Sequence, residues 1–178
     1  MITGHVFIAT SLDGYIARPD GDIGWLLQRD DPGEDHGYND FIADKDAIVM
    51  GHGTYEKVAE FGEWHYDRPV VVLSRRLQGS PVPGRLRGKV RFTDLAPREA
   101  MRELERQGAR KVYVDGGQVV QSFLREGLIA DMVVTTVPVL IGAGRRLFGE
   151  LPRDRDLALV ASRSFPSGLV QSSWRVLA

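Results

Sequence analysis

Apolar positions along this chain fall into short, β-branched runs separated by stretches of helical period. His5 to Ser11 (HVFIATS), Asp46 to Met50 (DAIVM), Pro69 to Leu73 (PVVVL), Lys89 to Phe92, Val112 to Val114 and Met132 to Val137 read as strands. Most are continuous apolar runs without the alternation of a half-solvated strand, as expected where both faces of a sheet are covered. Tyr15–Ala17 is a further short extended piece after the Asp13-Gly14 turn. Between the strands lie amphipathic segments. Tyr38–Ala43 carries Phe41 and Ile42, and Tyr55–Phe61 carries Tyr55, Val58 and Ala59 on one side. Ala96–Gln107 turns Ala100, Met101 and Leu104 inward, and 118–126 does the same with Val119, Val120, Phe123 and Leu124. The punctuation agrees with helices: Thr54 as an N-cap, Pro97 near the first helical position, and Gly62, Gly108 and Gly127 as stops. Leu157–Phe165 and Leu169–Leu177 alternate across Pro166-Ser167-Gly168, an antiparallel hairpin. Arg145 and Arg146 lie in a glycine-basic loop that resembles a phosphate loop only superficially and reads as surface charge or a contact between copies.

Strands alternating with helices, then strands alone, specify an α/β fold. Its central sheet is mostly parallel, with helices on both faces and an antiparallel C-terminal hairpin. No repeat or linker interrupts the 178 residues, so one domain spans 1–178. A net charge of −1 gives no footprint for nucleic acid or an anionic membrane. With no cysteine there is no disulfide, no thiolate nucleophile and no cysteine-ligated zinc. His5, His36 and His65 lack metal spacing. The most apolar stretch, near Leu128 to Ile141, is broken by Asp131, Thr135, Thr136 and Pro138, which is too polar to span a bilayer. With no basic region and long apolar run at the N-terminus, the expected location is cytoplasmic.

The candidate chemistry sits where strands meet helices. Lys111 to Gly127 (KVYVDGGQVVQSFLREG) reads as strand, glycine turn and helix, and Met50 to Gly62 repeats that plan around Gly51-His52-Gly53-Thr54. Glycines admit a close approach to backbone, and a helix start presents free N–H groups and a positive dipole end to a phosphate. The bland alternative is that each Gly pair is only a tight connection.

Six ordered segments carry a resemblance. They are Ala9-Thr10-Ser11-Leu12-Asp13-Gly14-Tyr15-Ile16-Ala17, Met50 to Glu56, Val72-Leu73-Ser74-Arg75, Gly116-Gly117, Pro138 to Gly144 and Phe165 to Gly168. Together they resemble the dihydrofolate reductase superfamily, and more closely its bacterial branch related to the reductase domain of the riboflavin-biosynthesis deaminase–reductase. The resemblance implies a dihydrofolate reductase-like three-layer fold and an NADPH-dependent reductase of a small heterocycle, such as a pyrimidine. It implies that Gly51, His52, Gly53 and Thr54 meet phosphates on the adenosine side. Ser74, Arg75 and Arg76 would hold the 2′-phosphate, and Gly116, Gly117, Gln118 and Val119 the pyrophosphate. Ala9 and Thr10 would line the nicotinamide side, and Ile16 to Trp25 would be a mobile loop over the active site, with Ile16 among the cofactor contacts. Trp25, Phe41 and Thr135 would face the substrate, and a homodimer would form through the C-terminal strands.

Two departures matter. His52 stands where related sequences carry a basic residue, so preference for NADPH would rest on Arg75 and Arg76. No carboxylate among Asp35, Asp40 and Asp44 matches the pterin-gripping position of true dihydrofolate reductases, which counts against folate. Asp40 and Asp13 are the weak candidates for catalysis; the plainer readings are a solvated helix carboxylate and a turn residue. The proton donor is not legible. A non-catalytic nucleotide-binding module and a true dihydrofolate reductase are the alternative functions.

Overall fold

The alternation of side chains along the central strands sets the layers. In the computed structural model, which describes residues 1–177, Ala47 and Val49 of β3 (Ala47–Gly51) point into one core and Ile48 and Met50 into another. The neighbouring strands divide in the same way: Val71 against Val70 and Val72 in β4 (Val70–Leu73), and Val112 and Val114 against Tyr113 in β6 (Lys111–Asp115). The first core is closed by α4 (Pro97–Arg106) and α5 (Gly117–Arg125), through Met101, Leu104, Val120, Phe123 and Leu124. The second is closed by α2 (Tyr38–Ala43) and α3 (His52–Glu60), through Phe41, Ile42 and Tyr55. Helices therefore cover both faces, and strands wetted on neither side have no reason to alternate apolar with polar.

The sheet has eight strands in the order β5-β4-β3-β6-β1-β7-β10-β9. The other strands are β1 (Thr3–Ser11), β5 (Val90–Thr93), β7 (Ile129–Val137), β9 (Leu157–Ser164) and β10 (Val170–Val176). β5 through β7 in that order run parallel; β10 is antiparallel to β7, and β9 to β10. The parallel strands bring Ala9, Gly51, Leu73 and Asp115 to one edge of the sheet, and open α/β sheets place ligands outside those carboxyl ends.

Three local readings change. The third helix begins at His52 with Gly51 as its N-cap, so Thr54 lies inside the first turn and does not cap it. β7 begins at Ile129, three residues before the apolar run at Met132. Arg145–Arg146 is a short strand, β8, paired antiparallel with β2 (Tyr15–Ala17). This pair is a flap beyond the main sheet. It is tight: a Cβ at Gly144 would lie 2.2 Å from the Ala17 carbonyl oxygen. A short helix, α1 (Gly24–Leu27), follows the loop after β2.

Candidate functional site

A cleft of about 790 Å³ opens at the carboxyl edge of the sheet. The ends of β3, β4 and β6 supply its floor, through Gly51, Leu73 and Gly116. Twelve of the fourteen residues expected around a cofactor line it: Ile16, Gly51, His52, Gly53, Thr54, Ser74, Arg75, Arg76, Gly116, Gly117, Gln118 and Val119. Of the other two, Ala9 lines a second cleft of about 280 Å³, and Thr10 is buried and lines neither. Ile16, Gly53, Thr54, Gly116 and Arg145 belong to the walls of both, so the two clefts adjoin.

The first cleft is arranged for anions. α3 and α5 both start on it, neither has a side-chain N-cap, and neither has an acidic residue in its first turn. The first N–H groups of a helix have no partner within it, so two positive helix ends face one space. Arg75 and Arg76 are exposed at the end of β4. Ser74 is buried, and its Oγ accepts the Leu77 N–H at 3.1 Å, shaping the turn that presents the two arginines. His52 lines the cleft together with a carboxylate: its Nε2 lies 2.9 Å from Glu56 Oε1, one turn along α3 and in the same wall.

The glycine turn is packed as well as open. Gly116 has φ of +95°, and a Cβ there would stand 2.5 Å from Thr54 Oγ1. A Cβ on Gly117 would stand 2.5 Å from the Arg146 carbonyl oxygen in the flap. Both glycines are thus required for α3 and the flap to close on the turn. The bland reading of a tight connection is correct, and it coexists with free N–H groups lining the cleft.

The second cleft is mostly apolar, with Ile8, Ala9, Ile23, Leu26, Val58 and Phe61 in its wall. Asp115, at the end of β6, is its one carboxylate. Burial pushes the Asp115 carboxyl up to about 6, although the Tyr113 hydroxyl and the Gly116 N–H favour its ionised form. Tyr113 Oη donates to the Phe7 carbonyl at 3.0 Å. In the sequence Asp115 is indistinguishable from the glycine turn it precedes; the usable signal is an acid closing an apolar strand.

Other candidates lie elsewhere. Trp25 is buried with Val137 and Leu169, and it lines neither cleft although Ile23 and Leu26 beside it do. Phe41 packs on Phe7 and Tyr113 behind the second cleft, with ring centroids 5.2 Å away in each case. Thr135 is buried under β10, where Gln171 Nε2 donates to its Oγ1 at 2.9 Å. Asp40 is exposed on α2, outside both clefts. Asp13 accepts the Ser11 hydroxyl at 2.6 Å and the N–H groups of Gly142 and Ile141 at 2.8 and 3.2 Å. The Ser11 contact and these N–H groups hold its carboxyl below the usual range, so it ties the 139–144 loop to the turn and is a poor proton donor.

Gln121, Lys57 and Tyr113 are further lining residues that the sequence did not single out. Arg145 and Arg146, expected as surface charge or a contact between copies, line the clefts as well; their distance in sequence from the glycine turns hides the flap that brings them over. Among the described residues, no group of three or more His, Asp or Glu is placed to hold a metal. No described helix is long and apolar enough to cross a membrane.

A family model described as the RibD C-terminal domain matches residues 3–171. The uncharacterized protein YwjB of Bacillus subtilis is 32% identical over 163 residues, 90% of either chain. Among solved structures, a Shewanella sp. PV-4 protein provisionally described as a riboflavin biosynthesis protein superposes with a TM-score of 0.92 at 35% identity, covering 99% of this chain and 100% of that one. The Thermotoga maritima diaminohydroxyphosphoribosylaminopyrimidine deaminase/5-amino-6-(5-phosphoribosylamino)uracil reductase superposes with a TM-score of 0.74. The match covers 99% of this chain and 57% of that one at 16% identity, a likeness of fold alone.

Proposed function

The chain belongs to the RibD C-terminal domain family, and from that premise we propose that it is an NADPH-dependent reductase of a small heterocyclic substrate of the pyrimidine type. The observation that carries this reading is the shared wall. A polar cleft with two open helix starts and four arginines runs into an apolar cleft with a single acid.

The residues fit the cofactor. N–H groups at the starts of α3 and α5 suit a pyrophosphate. The planar guanidinium groups of Arg75 and Arg76 suit a 2′-phosphate bidentately. Ala9 and Ile16 offer an apolar face to a nicotinamide ring. When bound, NADPH supplies the hydride.

The chain's own residues orient the substrate and handle the proton. The apolar wall of the second cleft excludes water from a planar ring, and Asp115 is the group for the polar edge. Protonated, it donates to a nitrogen or carbonyl oxygen of the substrate and gives up its proton to the C=N or C=O group whose carbon takes the hydride; ionised, it accepts from an amino group. A carboxyl raised to about 6 serves near neutral pH far better than Asp13. Folate is disfavoured because the candidate acid rises from β6 and not from the first helices.

The reading is tested by NADPH oxidation with a panel of 5-amino-6-ribosylaminouracils, with and without phosphate, and of pterins. Turnover with the uracils and none with dihydrofolate is expected. Tight NADPH binding with no turnover on any of them would return the chain to the non-catalytic alternative.

A further inference from the structure

We infer that Arg145 is a phosphate clamp, closing on the dinucleotide's pyrophosphate from the flap side, opposite the N–H groups that begin α3. The inference rests on the cofactor reading above and replaces the expectation of surface charge or a contact between copies at Arg145.

The first ground is position. Arg145 leaves the flap at β8 and crosses to α3, where a Cβ on Gly53 would lie 2.8 Å from its Nη1. A Cβ on Gly21 would lie 3.3 Å from its Nη2. Glycine at both places leaves room for the guanidinium, which lies in the wall common to the two clefts. A dinucleotide whose adenosine end is in the first cleft and whose ring is in the second has its pyrophosphate at that wall.

The second ground is charge. Here a guanidinium rests against the positive end of a helix, an arrangement of like sign that an anion would relieve. Arginine ion pairs among the described residues involve Arg18, Arg68, Arg91, Arg98 and Arg110, and not Arg145. Its neighbour makes the contrast. Arg146 Nη2 donates to Tyr15 Oη at 3.2 Å, and its guanidinium lies 4.8 Å from the Tyr15 ring centroid. One arginine holds the flap together; the other is left facing the clefts.

The third ground is support. β8 is paired to β2, and Gln121 Nε2 donates to the Arg146 carbonyl at 3.1 Å, tying the flap to α5. The backbone carrying Arg145 is anchored on two sides. Among the described residues its head has no ion-pair partner, and it lies at a site where a planar fork can engage two phosphate oxygens.

The test is calorimetric titration of wild type, Arg145→Ala, Arg145→Lys and Arg146→Ala with NADPH, adenosine 2′-monophosphate and inorganic pyrophosphate. Arg145→Ala is expected to weaken NADPH about tenfold or more, the range for loss of a charge-assisted contact. Adenosine 2′-monophosphate, which lacks the pyrophosphate, stays within about twofold. Arg145→Lys recovers part of the loss. An unchanged NADPH affinity in Arg145→Ala overturns the inference, as does an equal loss of both nucleotides. If Arg145→Ala instead spares NADPH and raises KM only for a phosphorylated substrate, the clamp belongs to the substrate and the cofactor assignment falls. If wild type binds no dinucleotide, the cofactor reading fails by itself. Pyrophosphate then decides Arg145: binding that Arg145→Ala abolishes keeps the clamp, and no binding, or binding that the substitution leaves unchanged, overturns it.

Discussion

Asp115 is the residue on which chemistry and stability meet. Its folded pKa of about 6 lies above the ordinary 3.8. Between those values the folded chain keeps a proton that the unfolded chain has lost, so the stabilisation is complete below about 3.8 and disappears as pH rises through about 6. Asp115→Asn removes that decline. Denaturant titrations from pH 4 to pH 7 are expected to show the variant gaining on wild type as pH rises, by an amount on the order of 3 kcal/mol for about two pKa units. The same substitution is expected to lower kcat by about 10² to 10⁴ while leaving NADPH affinity within a few-fold. An equal loss of binding would move Asp115 out of the substrate cleft. At the cofactor end, Arg75→Ala is expected to erase discrimination between NADPH and NADH, read from the two dissociation constants. His52 contributes little to that discrimination, because its imidazole lies toward Glu56.

At the scale of elements, the two strand–glycine–helix units carry the site, and both were legible in the sequence. Their glycines, helical faces and stops stand out because each is a local signal. Gly62 and Gly127, for example, take φ of +82° and +68° just after their helices. What the sequence hid is non-local. Arg145 reaches the first turn of α3 only through the pairing of β8 with β2, and two-residue strands leave no periodic trace. Trp25, Phe41 and Thr135 are apolar or small residues in segments near the site, and nothing in their spacing separates a pocket wall from the packing behind it. The glycine turn makes a further prediction. Gly116→Ala meets both a positive φ and Thr54 Oγ1, whereas Gly14→Ala meets only a positive φ in open space. Gly14→Ala is expected to cost about 1 kcal/mol, and Gly116→Ala about 2 to 4, in thermal unfolding.

For the whole molecule, the sheet runs from β5 to an open edge at β9. Alternation of buried strands and amphipathic helices made the parallel body and the antiparallel end readable, since burial on both faces leaves its mark on composition. β9 departs from that pattern: Leu157, Leu159 and Val160 are 40%, 57% and 59% exposed. An unpaired edge with exposed apolar side chains is a surface that proteins normally cover. We propose that a second copy covers it, in line with the expected homodimer through the C-terminal strands. Sedimentation velocity is expected to show a dimer for wild type and a monomer for the Leu159→Asp, Val160→Lys pair; a wild-type monomer would remove the proposal. The clefts lie at the carboxyl ends of the parallel strands, and the reductase reading stands on what enters there. The most direct measurement is a calorimetric titration of the purified chain with NADPH and with NADH. Binding of NADPH well below millimolar, with NADH at least tenfold weaker, is the expected result. No heat from either cofactor, in protein shown to be folded, would contradict the reading of these clefts.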